Sequence, residues 1–411
     1  MKKEIELLAP VGSFESLHAA IQAGVNAVYF GVEQLNMRAK SINSFALSDL
    51  AQIKKLCSKH SIKTYITLNT VMYEHDMQIL KTILKEVKKQ KIDAVIAADF
   101  AVMEYCKQLK IPVHISTQAN VSNIESVKFF ASFSDAVVLA RELTLKQVKQ
   151  ITNEISRKKI KGVSGNLMRI EIFVHGALCM AISGKCYLSL HSQNSSANRG
   201  ACNQNCRHAY KVIDQETNEE LMIDNEYIMS PKDLCTIDIL DKIIDSGVEI
   251  LKIEGRGKGP EYVYTVTKIY NEALKAIEEN NYTKEKIEQW KIALEKVYNR
   301  GFWEGYYLGR KLGEWTENPG SAATEKKVYV GKGKKYFSKA KIGEFVVETG
   351  TIKIGDSLMI TSPDFGIHTK NIERLVVNGV DATVAVKGDS ITIPIERKIT
   401  SRDKLYKIVE A

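Results

Sequence analysis

The sequence lacks both long hydrophobic runs and the familiar motifs of peptidases. No stretch approaches the roughly 18 consecutive apolar residues that a transmembrane helix needs, so we expect no membrane span. The chain contains no H-E-x-x-H and no G-x-S-x-G segment, and none of its eight histidines forms a helical i, i+4 pair beside a glutamate. These absences disfavour a peptidase that uses a metal-bound water or a serine nucleophile.

The first residues, Met-Lys-Lys-Glu-Ile-Glu, are followed by no apolar run of the length that a signal peptide needs, so we expect no signal peptide. We therefore expect a cytoplasmic protein, in which disulfides are rare. The 411 residues, 44% of them hydrophobic, suffice for one large domain and one small domain. The 58 basic and 49 acidic side chains give a net charge of +9, which permits a polyanionic partner without requiring one.

Cysteine is concentrated in one part of the chain. Five of the seven cysteines fall in a window rich in Gly, Ser and Asn, with the spacing Cys179-x6-Cys186-x15-Cys202-x3-Cys206-x28-Cys235. A soft metal that holds thiolates together explains this clustering better than disulfides do. Zinc is one candidate, because four cysteines bind it tetrahedrally. The long spacings lack the paired C-x2-C segments usual in zinc ribbons, and they favour a [4Fe-4S] cluster.

Short apolar strands alternate with amphipathic helical stretches from the N-terminus to about residue 255. This alternation indicates parallel βα units, and eight of them predict an α/β fold of the TIM-like (β/α)8 barrel type. The candidate strands are 6–10, 27–31, 64–69, 94–99, 112–117, 136–140, 169–175 and 250–254. In such a barrel the polar residues at the carboxyl ends of the strands converge on the catalytic face. They are Asn69, Asp99, Gln118, Arg141, Glu142, His175, Glu254 and Arg256.

The cysteine window belongs to a predicted insertion at about 177–234, between strands seven and eight, in which 209–213 and 221–223 suggest a hairpin. We assign 1–312 to the barrel domain and 313–325 to a linker. Residues 326–411 contain short strands with Gly and Asp turns, which predict a small C-terminal β-barrel.

The first strand of that C-terminal region is strongly basic. Between residues 326 and 341 the chain has seven lysines, no acidic residue, and three interleaved aromatic side chains. Lysines that contact phosphates and aromatic rings that stack on bases are typical of an RNA contact, and Lys332, Lys334 and Lys335 are the candidates. An exposed hairpin whose aromatic residues face a core is the alternative.

Seven segments together resemble one known family. They are EIFVHGALCMAISGKCYLS at 171–189, LAPVGS at 8–13, NMR at 36–38, STQAN at 116–120, RGACNQNCR at 199–207, SPKDLC at 230–235 and KIEGR at 252–256. With the β-rich C-terminal region they span nearly the whole chain, and they resemble the signature of peptidase family U32.

This resemblance implies two kinds of activity. Some members are labelled collagenase-like proteases, whereas others are similar to hydroxylases of tRNA or ubiquinone that carry a four-cysteine iron–sulfur cluster. The tRNA branch is linked to prephenate, and it is the most similar branch because SPKDLC and KIEGR occur together with a C-terminal β-domain. The resemblance thus implies hydroxylation of the wobble uridine (U34) of tRNA to 5-hydroxyuridine, with a paralogous subunit as a possible partner. A collagenase-like peptidase and a noncatalytic RNA-binding protein are the alternatives.

The resemblance also assigns roles to individual residues. It places Cys179, Cys186, Cys202 and Cys235 at the cluster ligand positions, with Cys206 as a spare that could replace Cys202. A dicarboxylate such as prephenate needs cations, and the arginine guanidinium binds a carboxylate through two parallel hydrogen bonds. The substrate-binding candidates are Arg38, Gln118, Arg141 and Arg256. The candidates for proton transfer are Glu142, His175 and Glu254, and a structural Arg–Glu lattice is the alternative for this group.

Overall fold

The computed structural model describes residues 4–39, 44–220, 227–309, 313–317 and 320–411. Eight parallel strands close into a barrel, which confirms the predicted TIM-like fold. With strands numbered in chain order, they are β1 (Glu6–Pro10), β2 (Ala27–Phe30), β3 (Lys63–Leu68), β4 (Ala94–Ala97), β5 (Val113–Ile115), β6 (Ala136–Val138), β7 (Arg169–Gly176) and β9 (Ile250–Ile253). The last strand, β9, closes the barrel because it pairs in parallel with both β7 and β1.

Helices alternate with the barrel strands, except for one short helix, α7 (Leu188–Gln193), which lies in the cysteine-rich insertion. Their described bounds are α1 (Phe14–Gln22), α2 (Leu50–Lys59), α3 (Met77–Lys89), α4 (Phe100–Leu109), α5 (Ile124–Phe130), α6 (Leu145–Lys158), α7 (Leu188–Gln193), α8 (Leu240–Asp245), α9 (Pro260–Glu278) and α10 (Lys284–Glu295). In α3 the buried residues Leu80, Ile83, Leu84 and Val87 recur with the helical spacing, so one face packs on the strands. Asp99 is the N-cap of α4 and accepts a hydrogen bond from Ala101, so this strand-end residue is a helix cap.

Two short strands lie outside the predicted pattern. β8 (Asp233–Cys235) pairs antiparallel with the end of β7, placing Cys235 opposite His175. β10 (Phe302–Trp303) then pairs in parallel with β8. Within the predicted hairpin an isolated antiparallel bridge joins Ile213 to Glu220, whereas its second arm at 221–223 lies outside the described residues. These strands fix one side of the cysteine-rich insertion to the barrel.

The C-terminal region consists of β-strands, as predicted, and its described strand pairs are antiparallel. Its strands are β11 (Glu325–Phe337), β12 (Ile342–Val347), β13 (Thr351–Lys353), β14 (Ser357–Ser362), β15 (Gly366–Asn371), β16 (Leu375–Val377), β17 (Val380–Ala382), β18 (Val384–Val386), β19 (Ser390–Pro394) and β20 (Lys404–Glu410). Eight of them form one sheet, while β13 and β18 pair separately. Phe345, Ile391 and Leu405 are fully buried in a core of its own.

The C-terminal domain packs against the barrel at α1. The side chain of Gln22 exchanges two hydrogen bonds of 3.1 Å with the backbone of Ile367 on β15. Nearer the carboxyl ends of the barrel strands, Lys327 of β11 forms a 2.6 Å ion pair with Glu261 in the first turn of α9. No helix among the described residues is both long enough and apolar enough to cross a membrane.

Candidate active site

A cavity of about 730 Å³ opens at the carboxyl ends of the barrel strands and is also lined by the cysteine-rich insertion. Among the described residues that line it, eight are basic and one, Glu254, is a carboxylate. The basic residues are Arg38, Arg141, Lys185, Arg207, Lys252, Arg256, Lys258 and Arg300. The volume is typical of a small-molecule site, and the excess of positive charge favours an anionic ligand.

At the base of the cavity, Lys252 of β9 is already paired. Its Nζ atom lies 2.7 Å from Oε1 of Glu171, and His114 Nδ1 lies 3.5 Å from Oε2 of the same carboxylate. Burial raises the pKa of Glu171, but the charges of Lys252 and His114 outweigh burial and bring it to about 2. Burial in turn lowers the pKa of Lys252, and Glu171 opposes that effect. This pair therefore contributes little net charge toward a ligand.

Arg38 and Glu254 form a second pair nearer the opening. Arg38 Nη2 donates a hydrogen bond of 3.1 Å to Glu254 Oε1. Burial raises the pKa of Glu254, yet the charges of Arg38 and Arg141 more than reverse this effect, and the net pKa is lowered. Glu254 is thus ionised at neutral pH. It is positioned to orient Arg38, and its low pKa does not suit it to deliver a proton.

Arg256 has no carboxylate partner among the described residues. Its Nη1 atom donates to Asn36 Oδ1 at 3.1 Å and to Thr67 Oγ1 at 2.5 Å. Burial lowers the pKa of Arg256 to about 10, which leaves the guanidinium charged at neutral pH. A buried cation without a counterion is costly, so Arg256 is the strongest candidate for binding an anionic group of a ligand.

Arg141 and Gln118 complete the polar wall. The Arg141 guanidinium lies 3.9 Å from the centroid of the Phe173 ring and donates to the Ala177 carbonyl at 2.9 Å. Its Nε atom is buried with no hydrogen-bond partner among the described residues. Gln118 Oε1 accepts a 3.1 Å hydrogen bond from Asn69 Nδ2, which fixes the orientation of its amide.

A further basic group, from residues that the sequence analysis did not select, lies on the side of the cavity toward β8. Arg300 Nη1 is 3.4 Å from Asp233 Oδ1, and Lys258 Nζ is 2.8 Å from the centroid of the Tyr298 ring. Burial, assisted by the charge of Arg300, lowers the pKa of Lys258 to about 8. Lys258 stands two residues beyond Arg256, and that proximity is the signal that could have revealed it. Arg300 comes from a distant segment and had no such signal.

Four of the five clustered cysteines meet at this cavity. Cys179, Cys186, Cys202 and Cys206 all line it. Burial raises the pKa of Cys206, Arg207 opposes this effect, and the other three cysteines add to it electrostatically. Cys202 also acts electrostatically on Arg38, so the thiols border the basic wall. The structure thus groups Cys206 with the other three, whereas the sequence assignment had treated it as a spare.

Cys235 lies apart from this group. It is buried in β8, and burial raises the pKa of its thiol to about 12, against smaller opposing contributions from a hydrogen bond with the Ile237 backbone and from Tyr270. It does not line the cavity. Among the described residues, no group of three or more His, Cys, Asp or Glu side chains is arranged tightly enough to hold one metal ion. The cavity therefore offers four cysteine thiols as candidate donors, from Cys179, Cys186, Cys202 and Cys206.

Two of the proposed proton-transfer residues do not line the cavity. Glu142 is exposed and borders a separate small pocket on the other side of Arg141. His175 is 1% exposed and packs between the rings of Tyr262, Tyr270 and Phe302. Burial lowers the pKa of His175 to about 3, against a weaker opposing effect of Glu254, so the ring is neutral. Its position and its pKa assign it to packing.

The three lysines proposed for RNA contact lie in β11, away from the cavity lining. Lys332 is paired with Glu348 and Lys334 with Glu344, both at 2.7 Å. The Lys335 ammonium lies 5.0 Å from the centroid of the Phe337 ring. Because two of the three already have carboxylate partners, this surface is less basic than the sequence suggests.

The chain belongs to peptidase family U32, whose sequence pattern matches residues 12–317. It is 50% identical over 404 residues to a protein of Porphyromonas gingivalis named "Collagenase", with 98% of each chain covered. It is also 33% identical over 316 residues to "tRNA hydroxylation protein P1" of Bacillus subtilis, covering 75% of this chain and 72% of that protein.

RNA modification is named in a further relative. The "23S rRNA 5-hydroxycytidine C2501 synthase" of Escherichia coli is 32% identical over 317 residues, which cover 75% of this chain and 46% of that protein. The family therefore includes proteins named for collagen cleavage and proteins named for RNA hydroxylation.

Proposed function

We propose that this protein is an RNA-modifying enzyme that hydroxylates the wobble uridine (U34) of tRNA to 5-hydroxyuridine. The observation that carries the proposal is the cavity, in which eight basic residues face one carboxylate and four thiols stand at one side. A polyanion and a small anionic co-substrate both fit such a lining. The names of the RNA-hydroxylating relatives supply the reaction class.

The proposal includes a [4Fe-4S] cluster, with Cys179, Cys186, Cys202 and Cys206 as its ligands. All four cysteines line the cavity, Cys206 interacts electrostatically with the other three, and Cys202 interacts electrostatically with Arg38. When bound, such a cluster would supply electron-transfer capacity, since four thiolates leave no iron position open to substrate. Zinc is the alternative occupant, and iron and sulfide analysis of anaerobically purified protein distinguishes the two.

A small dicarboxylate, with prephenate as the expected compound, is the proposed co-substrate. Hydroxylation replaces a C–H bond with a C–OH bond and removes two electrons from the base, so the reaction requires an oxygen donor and a two-electron oxidant in addition to the residues of this chain. Arg256 would bind one carboxylate through its guanidinium, whose described hydrogen bonds come from Nη1, and Arg141, which also lines the cavity, would bind the other. Ionised Glu254 would hold Arg38 in place beside them.

The dicarboxylate site predicts the effect of replacing Arg256. Arg256→Ala should weaken prephenate binding at least roughly tenfold by calorimetry, because truncating one partner of a buried ion pair removes both charge and hydrogen bonds. RNA affinity should stay near that of the wild type. Arg157→Ala is the matched control, because Arg157 pairs with Glu154 on exposed α6. Equal prephenate affinity in the wild type and Arg256→Ala would refute the assignment.

The function is tested in a strain that lacks this gene and every paralogue. Mass spectrometry of total tRNA should show loss of modification derived from 5-hydroxyuridine, restored by the wild-type gene but not by Arg256→Ala. Restoration by both genes would instead favour a noncatalytic RNA-binding role. Unchanged tRNA modification in the deletion strain would contradict the proposal outright.

A collagenase-like peptidase is the second candidate, because the 50% identical relative carries that name. No cysteine–histidine hydrogen bond occurs among the described residues, so a thiol nucleophile with a general base is not preassembled. Purified protein should therefore leave denatured collagen uncut under conditions in which it binds tRNA. Cleavage that disappears in Cys206→Ser but persists after iron removal would favour the peptidase.

A further inference from the structure

The mouth of the cavity has an apolar edge that the basic lining does not explain. Met180, Tyr187 and Leu188 line the cavity and are 45%, 68% and 37% exposed. All three lie on the insertion, close in sequence to Cys179 or Cys186. We call Met180, Tyr187 and Leu188 the apolar edge.

The apolar edge and the basic interior together define the chemistry of the occupant. An occupant that enters past exposed apolar side chains toward Arg38, Arg141 and Arg256 needs flat apolar surface together with negative charge. A nucleotide has both, since every base has a stacking face and every linkage carries a phosphate. A peptide does not offer negative charge systematically, so the charges favour RNA.

An enzyme that acts on a base also has to expose it. A base that leaves its stack loses a few kcal/mol of stacking energy, and an aromatic or thioether side chain can replace part of that loss. Tyr187 is well suited because it has two rotatable side-chain bonds and stands at the N-terminus of α7, whose backbone holds it in place.

We propose that Tyr187, which lines the cavity together with Met180, forms a stacking site for an unpaired nucleobase at the entrance to the cavity. This inference rests on the proposed RNA substrate, and it identifies the side chain on which a base of that RNA stacks. Tyr187 is a positioning residue, because it holds the base while the basic lining binds anionic groups. The stack involves no phosphate, so it contributes affinity without releasing counterions.

The test uses the full-length protein purified with its native metal content and an anticodon stem-loop that has uridine at the wobble position. Binding is measured by fluorescence anisotropy at several salt concentrations for the wild type, Tyr187→Ala and Tyr187→Phe. The matched control is Phe100→Ala, because Phe100 is 63% exposed but does not line the cavity. Iron content and melting temperature are measured for every variant.

Tyr187→Ala should raise the Kd for the stem-loop roughly tenfold, the effect of losing one base–aromatic stack. The slope of log affinity against log salt should be unchanged, and Tyr187→Phe and Phe100→Ala should bind like the wild type. If Tyr187→Ala bound the stem-loop as tightly as the wild type does, the stacking site would be overturned and the proposed function would stand. Failure of the wild type to bind the stem-loop at all would overturn both.

Three other outcomes also refute the stacking site. Equal losses in Tyr187→Ala and Tyr187→Phe would assign the effect to a hydrogen bond from the hydroxyl group. A parallel loss of iron in Tyr187→Ala would assign it to the neighbouring Cys186. If Tyr187→Ala bound denatured collagen more weakly than the wild type but bound the stem-loop equally well, the apolar edge would be a peptide contact.

Discussion

At the scale of single residues, the site depends on which charges are already compensated. Lys252 and Arg38 have carboxylate partners at 2.7 and 3.1 Å, whereas Arg256 has polar but uncharged ones. Sequence position alone made Arg38, Arg141 and Arg256 equivalent. Their hydrogen-bond and ion-pair partners distinguish them. An anionic ligand gains the most binding free energy from a buried guanidinium that has no carboxylate partner.

Cysteine replacement separates the two possible ligand sets. Cys206→Ser should abolish retention of iron, because Cys206 lies with the three other cavity thiols, whereas Cys235→Ser should retain it. Iron and sulfide per chain, together with the absorption spectrum, are the readouts. Cys57→Ser is the control, since Cys57 is buried on α2 far from the insertion in sequence. Loss of iron in Cys235→Ser with retention in Cys206→Ser would restore the ligand set expected from the resemblance.

His175 predicts a specific pH dependence of stability. Its pKa is about 3 in the folded protein and near 6.5 when unfolded, because burial disfavours the charged ring. Between these values the unfolded chain binds a proton that the folded chain does not, so the free energy of unfolding falls as pH decreases. The loss is at most about 1.4 kcal/mol per pH unit.

His175→Phe should remove this contribution. Its melting temperature, measured against the wild type between about pH 7.5 and pH 5, should rise relative to the wild type as the pH is lowered. The control is His60→Gln, because His60 is exposed at the end of α2. If the melting temperatures of His175→Phe and the wild type changed equally with pH, His175 would bind protons equally in the folded and unfolded states.

At the scale of structural elements, the loop between β3 and α3 holds the insertion in place. Arg199 forms two hydrogen bonds to the buried carboxylate of Asp76, donates to the Val71 carbonyl at 2.8 Å, and lies 4.2 Å from the centroid of the Tyr73 ring. Arg199 is three residues before Cys202. The contact therefore positions the segment that carries two of the four cavity thiols.

Arg199→Lys should weaken that arrangement, because an ammonium cannot form the paired hydrogen bonds or the same ring contact. We expect roughly tenfold faster loss of iron to a chelator, the size typical of residues that support metal ligands. Arg157→Lys on exposed α6 is the matched control. Unchanged iron loss in Arg199→Lys would mean that the insertion is held by its other contacts.

At the scale of the whole molecule, the two domains divide the basic surface between them. The C-terminal domain contacts the barrel through Gln22 and Lys327, and the Lys327–Glu261 pair stands at the start of the helix that follows the cavity loop. β11 is therefore a candidate path by which the proposed RNA substrate reaches the cavity. Because Lys332 and Lys334 are paired with glutamates, β11 contributes less positive charge to RNA binding than its lysine count suggests.

The triple replacement of Lys332, Lys334 and Lys335 by glutamine tests this division. If all three contact phosphates, the log–log salt slope of tRNA binding should fall by up to about three units, one for each contact. Because two of them are ion-paired, we expect a decrease of about one. An unchanged slope would leave this strand without an RNA role. The iron content should equal that of the wild type, since these residues lie outside the barrel core.

The barrel could be predicted from sequence because its signal is local. Alternating apolar strands and amphipathic helices repeat along the chain, and the eight predicted strands coincide with the strands that close the barrel. The convergence of Gln118, Arg141, Glu254 and Arg256 on one cavity follows from the same rule, since parallel strands end at one face. Glu142 and His175 do not line the cavity, although they stand at strand ends. A difference of one residue decides whether a strand-end side chain faces the cavity, the solvent or the surrounding helices.

The sequence by itself determined the barrel, the family and the clustering of thiols, because each depends on residue type and spacing along the chain. Only the tertiary structure decided which groups meet. The pairing of β8 with β7 buries Cys235 and leaves Cys206 with the other three cysteines. Arg300 joins Lys258 from more than 40 residues away in sequence. Such contacts are set by three-dimensional packing, and no local periodicity records them.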